Sequence, residues 1–143
     1  MINLTNLAIL RDYLVANQAE LEEHFDMSCW VKHSSGSRNT PIARVRGGVT
    51  TATACGTVAC VLGHAALSGI PELAVPEEID DWDDYCYEVF GCYPQYFPHD
   101  KTGSYIFNCR WTSVDNTLKG AIHRLSAVID NNGVVPELTE FGW

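Results

Sequence analysis

The stretch Ser104-Tyr-Ile-Phe-Asn-Cys-Arg-Trp111 decides whether this chain reads as all-helical or as α+β. Tyr105, Phe107, Cys109 and Trp111 alternate with Ile106, Asn108 and Arg110, a period of two that predicts a strand with one wet face. Downstream, Asp115 is placed to cap a helix whose core face would be Leu118, Ile122, Leu125, Val128 and Ile129, with Asn132-Gly133 as its stop. Upstream, Pro76 opens a predicted helix over about 77 to 90, where a first-turn proline and nearby acids suit the free N–H groups. Its buried stripe would be Ile79, Trp82, Cys86, Val89 and Phe90, and Gly91 ends it.

Further toward the amino end, Thr53 is a good cap for an Ala-rich helix over about 54 to 68, closed by Gly69 and Pro71. Ile42-Ala-Arg-Val-Arg46 alternates as a short strand does and is followed by Gly47-Gly48, while 32 to 41 has loop chemistry throughout. Leu4, Leu7, Leu10 and Leu14 predict a first helix over about 4 to 16, stopped at Asn17, with a short helical turn at 18 to 24. The expectation is a mainly α or α+β fold of four helices and two or three short strands, in a single compact domain over residues 1–143. A length of 143 residues supports one core, and 46% apolar with 19% charged residues excludes a disordered, collagenous or coiled-coil chain.

The formal charge of −9 is unevenly distributed. Residues 1–26 carry a net −4, residues 27–71 a net +4 with no acid at all, residues 72–100 a net −9 with no Lys or Arg, and the remainder balances. The total argues against general binding to nucleic acid, which needs a basic excess. The locally basic stretch leaves an anionic ligand open. The longest mostly apolar run, 49 to 67, is broken by Thr, Gly and His, so no membrane contact is expected. The apolar residues 7 to 10 run straight into Arg11-Asp12 without a preceding basic segment, which is not an export signal. A cytoplasmic location, with the six cysteines as thiols, follows as the expectation.

Three strings bear on chemistry. In Ala54-Cys-Gly-Thr-Val-Ala-Cys60-Val-Leu-Gly-His64, Cys55 would sit at a helix start, where the dipole stabilises a thiolate. With His99 or His123 as base and Asp115 or Asn116 to orient it, Cys55 would serve a cysteine-dependent hydrolase or transferase; the competing reading is a packing thiol. Cys60 and His64 are four apart, as ligand pairs are in helical zinc sites, with Cys86, Cys92, His99 and Cys109 as further donors. Cys55 lies about 140° round the helix from Cys60, and no Cys-x-x-Cys occurs, so no metal and no cofactor is expected.

The acidic helix gathers seven carboxylates between Glu77 and Glu88, either a solvated face or a docking patch for a basic partner surface. The basic segment places Arg38, Arg44 and Arg46 before Gly47-Gly48, Thr50, Thr51 and Thr53, leading into a helix start. Arginines, flexible backbone and hydroxyls are what a phosphate or other anion requires, and Trp30 and Trp111 could stack on a planar group. No Walker loop or dinucleotide fingerprint is present.

Phe25-Asp-Met-Ser-Cys-Trp30, Cys55-Gly-Thr-Val-Ala-Cys60-x-x-Gly-His-Ala65 and Asp115-Asn-Thr-x-x-Gly-Ala121, in that order, resemble a diffuse family of small, mostly uncharacterised bacteriophage and bacterial proteins over residues 20 to 133. The resemblance implies that the Cys-Gly-Thr helix start and the Asp-Asn-Thr cap are recurring scaffold parts, and it supplies no reaction. The basic loop before Cys55 is particular to this chain. Together these readings lean away from an enzyme. They predict a phage-type accessory protein in the host cytoplasm that inhibits host defence stoichiometrically. It would sequester a small anionic, nucleotide-like molecule or dock on a host protein, with a homo-oligomer left open.

Overall fold

The computed structural model describes residues 1–32, 40–46, 57–94 and 100–136. Within them the chain is mainly helical, with seven α-helices and a single two-stranded sheet. Helix α1 (Leu4–Ala16) starts where Asn3 Oδ1 accepts the Asn6 N–H at 3.0 Å, and it stops at Asn17 as the sequence predicts. Leu7, Leu10 and Leu14 are fully buried on one side of it, each contributing roughly 2 kcal/mol of apolar burial. The expected turn at 18–24 is present as α2 (Gln18–Leu21) followed by a 3-10 turn at Glu22–His24.

The sheet pairs β1 (Val31–Lys32) antiparallel to β2 (Val58–Ala59), with Val31 opposite Ala59 and Lys32 opposite Val58. Between them lies α3 (Ile42–Arg46), where the sequence predicts a strand. Five residues fit either period. Here Ile42 and Val45, three apart, both reach the core, and Pro41 presets the first turn by offering its carbonyl to the Arg44 N–H at 3.0 Å. The helix expected over 54–68 begins later, as α4 (Val61–Leu67). Its cap is Cys60, whose sulfur accepts the Gly63 N–H, and Val58–Ala59 goes to the sheet instead. The expected Thr53 cap lies outside the described residues. Gly63 is required there, because a Cβ would collide with the Trp30 carbonyl and press on Ala59.

The acidic helix is α5 (Trp82–Phe90), five residues shorter at its start than expected. Asp81 caps it by accepting the Asp84 N–H at 2.8 Å, and residues 76–79 form a turn closed from Ile79 N–H to Pro76 O. The Arg46 guanidinium binds the carbonyls of Pro76 and Ile79, and Ile79 O would otherwise accept an intrahelical bond. The predicted stripe Ile79, Trp82, Cys86, Val89 and Phe90 is buried throughout, and Gly91 ends the helix at φ +75°.

The strand predicted for 104–111 is a helix, α6 (Lys101–Phe107), followed by a 3-10 turn at Cys109–Ser113. Both sets of alternating residues from Tyr105 to Asn108 are buried, so the alternation marks no wet face. The deciding signal is Asp100, which accepts N–H groups from Gly103 at 2.9 Å and Tyr93 at 2.8 Å and so starts the helix. The last helix, α7 (Leu118–Asp130), is capped by Thr117 rather than Asp115; Thr117 Oγ1 accepts the Gly120 N–H and donates to Asp115 Oδ1. Of its predicted face, Leu118, Leu125 and Val128 are buried, and Ile122 and Ile129 are half-buried against the core.

The two longest helices, α1 and α7, pack together, and α1 also meets α5 through Asn6 Nδ2–H to Val89 O at 2.7 Å. One contiguous apolar cluster joins them, running through Val31, Ile42, Leu62, Tyr85 and Phe107. No described helix is long and apolar enough to cross a membrane.

Candidate functional site

The three sequence strings meet at a junction. Asp26 N–H donates to Ala59 O at 3.0 Å and Phe25 bridges Ala59, so the first string lies along β2. Cys60 N–H is shared between the carbonyls of Cys29 and Trp30, both at 3.2 Å. Asn116 then reaches across from the start of α7: its Oδ1 accepts the Met27 N–H at 2.6 Å, and its Nδ2 donates to Asp26 Oδ1 at 3.1 Å. Burial raises the Asp26 carboxyl, but hydrogen bonds from Ser28 and Asn116 and the charge of Lys32 outweigh it and hold the group below its ordinary value. These contacts assemble a scaffold; their donors and acceptors face one another.

Beside the junction, two histidines form a relay into the core. His24 Nδ1 donates to Thr57 O and His64 Nε2 donates to His24 O, each at 2.9 Å, which leaves the buried His64 Nδ1 as an acceptor without a partner among the described residues. The ring stacks on Phe25, and burial pushes its pKa down to about 4, so it is neutral at pH 7.

The cysteine chemistry read from the sequence is only partly placed. Cys55 and His99 lie outside the described residues, and His123 is exposed on α7. Burial pushes the Cys60 thiol up to about 12 and the Cys29 thiol up to about 11, the opposite of an activated nucleophile. Cys86 and Cys92 are buried as well, whereas Cys109 is exposed. Cys60 and His64 are committed to the α4 cap and to His24 O, and no group of three His, Cys, Asp or Glu able to hold a metal occurs among the described residues.

The basic segment meets a pocket. A cavity of about 260 Å³ opens between the end of α3, the end of α4 and the chain from Gly69 to Val75, lined by Val45, Arg46, Ala66, Leu67, Gly69, Ile70, Ala74 and Val75. Among the described residues Arg46 is the sole charged one on that wall. Among the described residues its guanidinium is engaged through Nη1 alone, with Ile79 O at 2.6 Å and Pro76 O at 3.2 Å. That leaves Nε and Nη2 as uncommitted donors, the edge with which Arg grips a carboxylate or phosphate in two parallel bonds.

Arg44 is exposed on the same short helix; Arg38, Thr50 and Thr51 lie outside the described residues. Neither tryptophan lines the pocket. Trp30 is half-buried and stacks on Trp82 with centroids 6.0 Å apart, and Trp111 is buried with the Arg124 guanidinium 3.9 Å over its ring. Arg124 escaped sequence reasoning. It is 2% exposed, sits beside Asp115, and burial pushes its pKa down to about 10.

The acids of 77–88 form the other charged surface. Glu77, Glu78, Asp80, Asp81, Asp84 and Glu88 are exposed, and Asp83 is half-buried. Asp84 is raised by the charge of Asp81 first of all, and Asp83 by burial and then by Asp81 and Asp84. Through Arg46 the basic and acidic blocks of the sequence become neighbours in space. Against family models, curated proteins and solved structures alike, the chain gives no match.

Proposed function

We propose that this protein acts by stoichiometric binding, holding a small anionic molecule in the pocket beside Arg46. The observation that carries the reading is an apolar cavity of about 260 Å³ with the Arg46 guanidinium on its wall, anchored by two backbone carbonyls. An apolar pocket with a few placed polar groups is the usual form of a small-molecule site. Anchoring through Nη1 fixes the guanidinium in advance, so little side-chain freedom is lost when a ligand arrives. Arg44 adds exposed positive charge two residues away.

The resemblance of the three strings to phage and bacterial proteins supports placing this activity in a phage-type accessory protein, one that lowers the free concentration of a host molecule used in defence. Calorimetry against nucleotides and small organic acids tests the binding. Heat of binding that weakens in Arg44→Ala and Arg46→Ala is expected; no heat with any anion, or heat indifferent to both substitutions, would overturn it.

A second reading has its own observation. Six exposed carboxylates on and before α5, among them Asp84, whose proton affinity the charge of Asp81 raises, form a surface complementary to a basic protein. A host protein docked there would bind more weakly as salt rises, and pull-down at two ionic strengths separates it from a small-molecule role.

A further inference from the structure

We infer that the pocket selects a monoanionic organic acid whose apolar body is one ring or a branched chain, an inference that rests on the binding reading above. Three observations limit the ligand. The first is size: about 260 Å³ exceeds the roughly 150 Å³ that admits a benzene ring and falls short of the roughly 300 Å³ at which drug-sized pockets begin. A single ring with a short acidic arm fills such a space. The second is the lining: among the described residues, those around Arg46 are aliphatic or glycine and offer no side-chain hydroxyl or amide to read a sugar.

The third is charge. Among the described residues Arg46 retains one uncommitted edge, which matches one carboxylate, and the acids nearest the lining segment Ala74-Val75 in the chain, Glu72 and Glu77, are exposed and add no positive charge. Gly69 sharpens the shape. Its φ of +75° turns the chain at the end of α4, and the space where a Cβ would stand is open.

The test is calorimetry at pH 7 with phenylacetate, its neutral counterpart phenylacetamide, and adenosine monophosphate. Phenylacetate is expected to bind at least tenfold more tightly than either of the others. Arg46→Lys, which keeps the charge but loses the two-pronged edge, should weaken it about tenfold. Ala66→Phe should abolish binding by filling the pocket; Ala74→Phe, at an exposed lining position that leaves the core untouched, should do the same in a fold unchanged by circular dichroism. Equal binding of phenylacetamide would overturn the selection for charge. Preferential binding of adenosine monophosphate, blocked by Ala74→Phe, would overturn the monoanion class and leave the proposed binding function standing. Silence with all three probes would count against both.

Discussion

Asn116 and Asp26, ninety residues apart in the chain, are joined by a hydrogen bond of 3.1 Å that ties the start of α7 to the loop leading into β1. The same amide accepts the Met27 N–H, so one side chain closes both sides of the junction. Removing it in Asn116→Ala strands the Met27 N–H and leaves Asp26 Oδ1 with the Ser28 N–H alone, which should cost about 1–3 kcal/mol in urea unfolding. Asn116→Asp restores the acceptor for Met27 but sets a second carboxylate against Asp26. That variant should therefore be weaker than Asn116→Ala at pH 7 and recover as the pH falls toward 4. Equal stability of the three proteins at pH 7 would remove the junction from the fold's supports.

The His64 relay makes stability depend on pH. In the folded chain His64 titrates at about 4, against 6.5 for a free imidazole, because burial disfavours the cation. Between those values the unfolded chain binds a proton that the folded chain does not. The contribution is thus complete above about pH 6.5 and lost progressively as pH falls to 4, on the order of 3 kcal/mol in total. His64→Gln can keep a donor to His24 O without the titration. The stability difference between the two proteins should shrink in acid; a difference constant from pH 7 to 4.5 would contradict the burial of a neutral ring.

Gly63 sits where α4 crosses the Trp30 carbonyl. Gly63→Ala normally favours a helix by about 1 kcal/mol, but here the methyl displaces backbone, and a net loss of about 1–3 kcal/mol is expected. A stabilised Gly63→Ala protein in thermal melts would show that the approach is looser than the structure has it.

Thiol accessibility divides the described cysteines. Cys109 is exposed, whereas Cys29, Cys60, Cys86 and Cys92 are buried. Alkylation at pH 7 followed by peptide mass analysis should label Cys109 within minutes and leave the other four protected until denaturant is added. Rapid labelling of Cys60 would conflict both with its burial and with a thiol pushed up to about 12.

The sequence was most legible where signals are local. Asn17 and Gly91 mark helix ends through their own backbone, and the leucine repeat of α1 and the buried stripe before Gly91 stand as read. It misled where burial is all-round. From Tyr105 to Phe107 every residue is interior, so a period of two is accidental and the cap at Asp100 decides the structure. The late start of α5 depends on Arg46, more than thirty residues upstream, which no local pattern reveals. The same distance explains the site. Arg46 was legible as a basic residue, but its pocket is assembled from the ends of α3 and α4 and the chain beyond, and Arg124 under Asp115 reads in sequence as one more surface charge.

Binding in the Arg46 pocket is tested most directly by two-dimensional amide NMR while an anionic ligand such as phenylacetate is titrated in. Saturable shifts at Val45, Ala66, Leu67, Ile70 and Val75, absent in Ala74→Phe, are expected. Shifts that bypass these residues, or that persist unchanged when Ala74 is replaced, would mean that the anion binds elsewhere or not at all.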